Sequence, residues 1–286
     1  MSSNLPRWSA LSRDVVDDAR PRVMGILNVT PDSFSDGGRA QRLDHAVRHA
    51  ESLLAEGADL LDLGGESSRP GAKPVSEPEE LRRVLPVLDA VRAFSDIPIS
   101  IDTTKAEVAR RALDAGADVI NDITALRGDP DMARVIADRG AGVVLMHMAG
   151  TPETMQKAPT YVDVVVEVHD MLARRIDSLE RLGIARERIA VDPGIGFGKT
   201  FAHNLSLLQQ FSRFVNLGCV VLVGTSRKGF LGTITGRPVH QRDPASVVSS
   251  LWACTQGARV VRVHDVGGMA DALRVWNALR RPEDPT

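Results

Sequence analysis

A set of polar side chains stands at the ends of short apolar runs, where a chemical site could be assembled. The set comprises Asn28, Glu66, Asp102, Asn121, His147, Asp192, Lys228, Arg262 and His264. Each member alone has an ordinary explanation, because an Asp after a strand often caps the next helix and an Asn often forms a turn. If all these ends meet at one rim, they form a site for a polar small molecule.

The last apolar run, RVVRVHD (259–265), is the most informative of these ends. Arg262 and His264 are two residues apart, so they share one face of a strand. An arginine that faces the inside of a barrel is costly unless it meets an anion. We predict an anion site at Arg262 and His264. The alternative is a structural ion pair between Arg262 and a neighbouring aspartate.

The segment DPGIGFGKT (192–200) resembles a phosphate-binding P-loop but departs from that pattern. A P-loop needs a glycine five positions before its Gly-Lys pair, and Pro193 stands there instead. Proline also lacks the backbone N–H that the first turn of such a loop offers to an anion. The segment is therefore a loop of another kind.

The elements that must position these residues follow a repeating order of apolar run, loop and helical pattern. Eight runs occur between residues 23 and 265, and their ends lie about 34 residues apart, which suits a (β/α)₈ barrel of roughly 250 residues. We predict an α/β protein with a single (β/α)₈ TIM barrel over residues 21–286, preceded by a poorly specified arm (1–20). A doubly wound open sheet is the second possibility, although it normally has fewer units and a nucleotide fingerprint.

Two long loops follow the first and second predicted strands. They are VTPDSFSDGGR (29–39), which carries Asp36, and ESSRPGAKPVSEP (66–78), which carries Arg69 and Lys73. Long structured loops in a compact domain are usually functional. We predict that both are mobile lids over an anionic substrate, and the alternative is that they are ordinary surface loops.

Composition narrows the class of protein. The chain has 286 residues, 25% of them charged, with a net charge of −2, which gives no indication of a nucleic-acid or anionic-membrane partner. No apolar run approaches the ~20 residues of a transmembrane helix, and residues 1–20 lack a signal-peptide core. Cys219 and Cys254 lie in apolar contexts, so we expect buried free thiols and a cytoplasmic protein.

Eight motifs match one enzyme family in order and spacing. They are GILNVTPDSFSDGG (25–38), GGESSRPG (64–71), SIDTTKAEVA (100–109), NDI (121–123), MHMAGTPETMQ (146–156), DPGIGFGKT (192–200), GTSRKGFLG (224–232) and RVHDV (262–266). Residues 23–280 resemble the dihydropteroate synthases, a family of pterin-binding enzymes. The resemblance implies a (β/α)₈ barrel, a homodimer, and condensation of (7,8-dihydropterin-6-yl)methyl diphosphate with 4-aminobenzoate to dihydropteroate and diphosphate.

The resemblance also implies which residues hold the pterin ring. They would be Asp102, Asn121, Asp192 and Lys228, with Met146 as an apolar wall. Carboxylates and an amide suit the amino group and ring N–H of a pterin, and a cation suits its carbonyl. Asp192 would then be the functional residue of DPGIGFGKT, whereas Lys199 and Thr200 would begin the next helix without binding phosphate.

Further roles follow from the same resemblance. Arg262 and His264 would bind the diphosphate together with a magnesium ion on Asn28, and Ser68 would lie beside the substrate. Asp36 and Arg69 would approach on the two lids and, with Asp102 and Lys228, would be catalytic. The aminobenzoate site would be bordered by Arg69, Pro70, Phe197, Lys228 and Gly229.

The implied chemistry needs no nucleophilic triad, and none is evident. Diphosphate can leave first and generate a cation at the pterin methylene, which the neutral aryl amine then attacks. Two positions depart from the family pattern: Ser68 stands where the family often has Thr, and Gly229 stands where it often has Ser or Arg. Gly229 cannot make a side-chain contact to the aminobenzoate carboxylate, and a backbone N–H could replace that contact. The alternatives are a non-catalytic pterin-binding paralogue and a pterin-dependent methyltransferase domain.

Overall fold

The computed structural model describes residues 6–11, 13–16, 20–30 and 39–280. In chain order its strands are β1 (Trp8–Ala10), β2 (Arg13–Val16), β3 (Arg22–Asn28), β4 (Leu60–Gly64), β5 (Ile99–Asp102), β6 (Val119–Asp122), β7 (Gly142–Met146), β8 (Ile189–Asp192), β9 (Val220–Val223) and β10 (Val260–Val263). Strands β3 to β10 pair in parallel, and β10 also pairs with β3, which closes the barrel. The predicted (β/α)₈ barrel is confirmed, and the open sheet is excluded.

Helices follow the strands and cover the outside of the barrel. They are α1 (Arg39–Ala55), α2 (Glu77–Arg92), α3 (Ala106–Asp114), α4 (Met132–Arg139), α5 (Val164–Arg181), α6 (Phe201–Gln209), α7 (Ser212–Val215), α8 (Gly229–Thr235), α9 (Asp243–Thr255) and α10 (Val266–Arg280). The sequence pattern predicts neither α4 nor the short α8. No helix in the described part of the chain is long and apolar enough to span a bilayer.

Side chains that face the lumen change in character along the barrel axis. One apolar cluster fills the amino-terminal end, with Met24, Leu60, Val119, Val144, Ala190, Val220, Leu222 and Val260. Two residues further along the strands, the same face carries polar groups, because alternate residues of a strand point the same way. These groups are Asp62, Asn121, Asp192 and Arg262. The lumen is therefore an apolar base beneath a polar upper layer.

A two-stranded hairpin, β1 with β2, closes the amino-terminal end of the barrel. Trp8 is fully buried in the apolar cluster of the lumen, and its indole N–H donates to the Arg188 carbonyl (3.2 Å). At the tip, the backbone N–H of Leu11 donates to the Gly140 carbonyl (2.9 Å). The sequence predicts no structure in this part of the arm, because strands of three or four residues are too short to show a periodic pattern.

Candidate active site

A cavity of about 840 Å³ opens at the carboxyl-terminal mouth of the barrel. It is lined by every described residue that was expected to bind or act on a substrate: Asn28, Ser68, Arg69, Pro70, Asp102, Asn121, Met146, Asp192, Phe197, Lys228, Gly229, Arg262 and His264. Asp36 lies outside the described residues. The structure thus brings side chains from across the chain to one place, and their roles in binding and catalysis stay predictions.

Two buried carboxyl groups form the deep part of this cavity. Asp102 ends β5 and Asp192 ends β8, and Asp192 Oδ1 accepts from the Gly194 backbone N–H (2.7 Å). Burial raises the pKa of Asp102 to about 7, against the lowering effect of Arg262. Burial also raises the pKa of Asp192, which Lys228 partly offsets. These carboxyl groups can accept hydrogen bonds from a heterocycle that carries amino and ring N–H groups.

Arg262 projects from β10 toward two carboxylates. Its Nε donates to Asp62 Oδ2 (2.6 Å) and its Nη2 donates to Asp102 Oδ2 (3.0 Å). Burial disfavours the charged guanidinium, but the two aspartates outweigh that effect and raise the pKa of Arg262. The ion pair that sequence analysis offered as the alternative to an anion site is therefore present. The guanidinium still lines the cavity, so the pair does not remove it from the reach of an anion.

Asp62 bonds to two residues of the candidate site and is absent from the set that the sequence predicts. It lies in the middle of β4, is fully buried, and also accepts from the Asn121 side-chain amide at Oδ2 (3.1 Å). The available signal was a carboxylate inside an otherwise apolar run, LLDLGG (60–65). Because a buried carboxylate needs a partner, that position alone indicated a cation in the lumen.

His264 is anchored beside Arg262 by a neighbouring strand end. Ser226 Oγ lies 2.9 Å from His264 Nδ1 and accepts from the His264 backbone N–H (3.1 Å). Burial first, and then the charges of Arg227 and Arg262, lower the pKa of His264 to about 3. The imidazole is therefore neutral at pH 7 and offers a hydrogen bond, while the guanidinium of Arg262 supplies the positive charge.

Lys228 and Phe197 form one side of the cavity. The Lys228 ammonium lies 4.5 Å from the centre of the Phe197 ring and donates to the Ile195 carbonyl. Gly196 has a φ of +84°, and a Cβ there would lie 2.9 Å from Lys228 Cδ, so glycine is required for this packing. Burial lowers the pKa of Lys228 to about 8, although Asp192 opposes the shift.

The second long loop is fastened at its base and reaches the cavity with its tip. At the base, Lys105 donates to both Glu66 and Glu80, and Arg83 Nη1 donates to the Gly65 carbonyl (2.9 Å). Glu66, one of the polar strand ends, is therefore used in an ion pair and does not line the cavity. Ser68, Arg69 and Pro70 follow it on the exposed side and do line the cavity.

Lys199 of DPGIGFGKT is buried, bonds to groups in and beside this loop, and also lines the cavity. Its Nζ lies 2.9 Å from both His147 Nδ1 and the Phe197 carbonyl, and His147 does not line the cavity. Burial lowers the pKa of Lys199 well below its usual range. Thr200 caps α6, accepting from the His203 backbone N–H (3.2 Å). Lys199 precedes the helix, a small difference from the expectation that it begins it.

The residues around Asn28 fit a metal that is held jointly with a substrate phosphate. Asn28 is half-buried at the end of β3 and lines the cavity with Arg262 and His264. No group of three or more His, Cys, Asp or Glu side chains suited to a metal occurs in the described part of the chain. A lone amide oxygen suits magnesium, which commonly keeps water and phosphate oxygens as its other ligands.

Comparisons with known proteins agree with this geometry. A family model described as "Pterin binding enzyme" matches residues 24–264. The chain is 46% identical to the dihydropteroate synthase of Escherichia coli K12 over 263 residues, 92% of this chain and 93% of that protein.

Solved structures of dihydropteroate synthase from Xanthomonas albilineans are also similar. One, with 4-aminobenzoic acid, has a TM-score of 0.89 and 49% identity, and covers 96% of this chain and 98% of that chain. Another, in complex with 7,8-dihydropteroate, has a TM-score of 0.86 and 46% identity over 96% of this chain. The chain therefore belongs to the dihydropteroate synthase family of pterin-binding enzymes.

Proposed function

We propose that this chain condenses (7,8-dihydropterin-6-yl)methyl diphosphate with 4-aminobenzoate, giving 7,8-dihydropteroate and diphosphate for folate biosynthesis. The bond between the methylene carbon and the diphosphate oxygen breaks, the arylamine nitrogen bonds to that carbon, and the nitrogen loses a proton. One observation carries the proposal: a single cavity joins deep hydrogen-bond acceptors, Asp102, Asn121 and Asp192, to the anion-binding pair Arg262 and His264.

The pterin ring occupies the deep part of the cavity. Asp102, Asn121 and Asp192 hold its amino and ring N–H groups, and protonated Lys228 donates to its carbonyl. Met146, buried at the end of β7, is an apolar wall for the ring face. Asp102 stabilises the developing cation at the methylene, since a fixed carboxylate in a buried site interacts strongly with a nearby positive charge.

The departing diphosphate lies against Arg262 and His264. Arg262 supplies a fixed positive charge and His264 a neutral N–H, and Ser68 lies beside the substrate. Asn28 would hold a magnesium ion together with the phosphate oxygens, and the ion, when bound, would neutralise part of the leaving group's charge. Asp36 and Arg69, on the two long loops, would act at the transition state, Arg69 from its place on the cavity wall.

The arylamine binds nearer the rim, where Phe197, Pro70 and the methylenes of Lys228 offer apolar contact. An aryl amine is neutral at pH 7, so positioning rather than a strong base is required. Gly229 has no side chain to meet the aminobenzoate carboxylate, and its backbone N–H is the nearest substitute on that side. The relatives solved with 4-aminobenzoic acid and 7,8-dihydropteroate support these ligand classes.

A homodimer and a cytoplasmic location complete the proposal. Helices α9 and α10 pack together, and each exposes two apolar side chains one turn apart: Val248 and Trp252 on α9, and Val275 and Leu279 on α10. Such a face is suited to a second copy of the chain. The buried free thiols of Cys219 and Cys254 support a reducing compartment, which cell fractionation would test.

An assay of the purified protein tests the proposed reaction. Incubation with both substrates and magnesium should yield dihydropteroate and diphosphate in equal amounts. Binding of the pterin diphosphate without product would instead support a non-catalytic paralogue. Transfer of a methyl group from a reduced pterin, with no condensation, would support the methyltransferase alternative. The cavity-lining residues Arg262 and His264, and the run Ser226, Arg227 and Lys228, argue against that alternative.

A further inference from the structure

Asp62 lies beneath the floor of the cavity and connects two of its walls. It is fully buried and does not line the cavity. One oxygen, Oδ2, accepts from Arg262 Nε on β10 (2.6 Å) and from Asn121 Nδ2 on β6 (3.1 Å). A single carboxylate on β4 thus sets the position of both an expected diphosphate ligand and an expected ring ligand.

The two carboxylates bonded to Arg262 differ in their access to a ligand. The Asp62 side chain is 0% exposed, whereas the Asp102 side chain is 10% exposed and lines the cavity. A bound ring can therefore compete for Asp102 but cannot reach Asp62. If the ring takes the Asp102 oxygen that now accepts from Arg262, Asp62 remains as the counter-ion that keeps the buried guanidinium neutralised.

The carboxylate of Asp62 has a second acceptor ready for that exchange. Its Oδ1 is buried and has no hydrogen-bond partner among the residues that the structure describes. In the structure, two N–H groups on one side of the Arg262 guanidinium donate to different carboxylates: Nε donates to Asp62 and Nη2 donates to Asp102. Once Asp102 is released, Nη2 can turn to Asp62 Oδ1, and the pair becomes bidentate, which is the favoured arginine–carboxylate geometry.

We propose that Asp62 is a positioning residue of the pterin diphosphate site, which holds Arg262 and Asn121 in place and frees Asp102 to bind the ring. This inference rests on the proposed function and adds a residue to it. Asp62 touches no substrate; it acts through the three residues that do.

The charge of Asp62 also affects the ionisation of Asp102. Burial raises the pKa of Asp102, Arg262 lowers it, and the charges of Asp62, Glu80 and Asp122 raise it further. These are the charged groups that face Asp102 from β10, β4, α2 and β6. Because Asp62 contributes to the raised value, its replacement by a neutral residue lowers the pKa of Asp102. A residue with only a structural role would leave this titration unchanged.

The test is Asp62→Asn, which keeps the shape and removes the charge. Binding of pterin diphosphate with magnesium is measured by calorimetry between about pH 5 and about pH 9. We expect the Kd at pH 8 to rise by about tenfold, as for a lost partner of a buried charge. We also expect the pH midpoint of binding to fall by about half a unit, with the KM for 4-aminobenzoate unchanged.

The matched control is Asp118→Asn, at the opposite end of the barrel. Asp118 is also buried, and its Oδ2 pairs with Arg92 Nη2 (2.5 Å) and accepts from the Ile99 backbone N–H (2.8 Å). The Asp118→Asn variant should lower the melting temperature about as much as Asp62→Asn does. It should leave the Kd for pterin diphosphate and the pH midpoint of binding unchanged. If Asp62→Asn does not fold, Asp62→Glu, which keeps the charge but displaces it, should raise the Kd.

The outcomes separate this inference from the proposed function. A folded Asp62 variant with the wild-type Kd and pH midpoint would overturn the positioning role while the proposed function stood. Wild-type protein that binds no pterin diphosphate would overturn the proposed function, and the inference with it.

Discussion

At the residue scale, two groups in the deep part of the cavity titrate near neutral pH and in opposite senses. Burial raises the pKa of Asp102 to about 7 and lowers that of Lys228 to about 8. Below the first value Asp102 is protonated and loses an acceptor, and above the second Lys228 loses the proton that it donates. We expect pterin affinity to rise through pH 7, to fall above pH 8, and to be highest between them.

Calorimetric titration with a pterin diphosphate over this pH range checks the expectation. Asp102→Asn should remove the rise on the acidic side and leave the fall on the basic side, because Lys228 still titrates. An affinity that does not vary with pH would show that neither group changes its charge on binding.

Replacement of Arg262 by alanine should weaken pterin diphosphate binding by about 3 kcal/mol, roughly a hundredfold in Kd, because a buried charge partner is lost. It should also lower the stability, since Asp62 and Asp102 are left in the interior without their cation. Calorimetry and thermal unfolding measure the two effects. Arg110→Ala, on the surface of α3 where Arg110 pairs with Glu107, is the control and should change neither by much.

At the scale of elements, the hairpin of β1 and β2 contributes stability without touching the cavity. Trp8→Ala should destabilise the fold by about 3–5 kcal/mol, because it leaves a large void in the apolar base of the lumen. Denaturant unfolding measures the loss. Leu11→Ala, at the exposed tip of the same hairpin, should cost within about 0.5 kcal/mol. A comparable loss for both variants would contradict the role given to the Trp8 side chain.

The elements also show which strands and helices can be predicted from a sequence pattern. The eight barrel strands were predicted because each is a short run of Val, Ile and Leu with a polar end, as expected for strands that are buried on both sides. Helix α8 was missed because seven residues make less than two full turns of an α-helix. The hairpin was missed because its burial depends on residues from seven other strands, which no local pattern records.

At the scale of the whole molecule, the closed barrel turns eight separate strand ends into one rim. This convergence was predictable, because it follows from topology once the strands are identified. The role of the polar residue at each strand end was not predictable. Glu66 and His147 turn to Lys105 and Lys199, whereas Asp62, inside a strand, meets Arg262 across 200 residues of sequence. Such pairings depend on side-chain geometry, and spacing alone does not reveal them.

The exposed apolar face of α9 and α10 yields a prediction about assembly. Val248→Glu together with Leu279→Glu should convert a dimer into a monomer, because two charges would be buried at the contact. Analytical ultracentrifugation measures the change in mass. Leu182→Glu, which alters an exposed leucine just after α5, should leave the mass unchanged. A wild-type protein that sediments as a monomer would contradict the proposed homodimer.

In the described part of the chain, Trp8 and its hairpin close one end of the lumen, and the cavity opens at the other. Residues expected to hold the heterocycle, such as Asn121 and Asp192, lie near the bottom, and Pro70, expected to contact the arylamine, stands exposed at the top. An arylamine seated first would obstruct the passage to the bottom. If these roles hold, we expect the reactants to load in a fixed succession, heterocycle before arylamine, and the joined product to leave by the entrance they used.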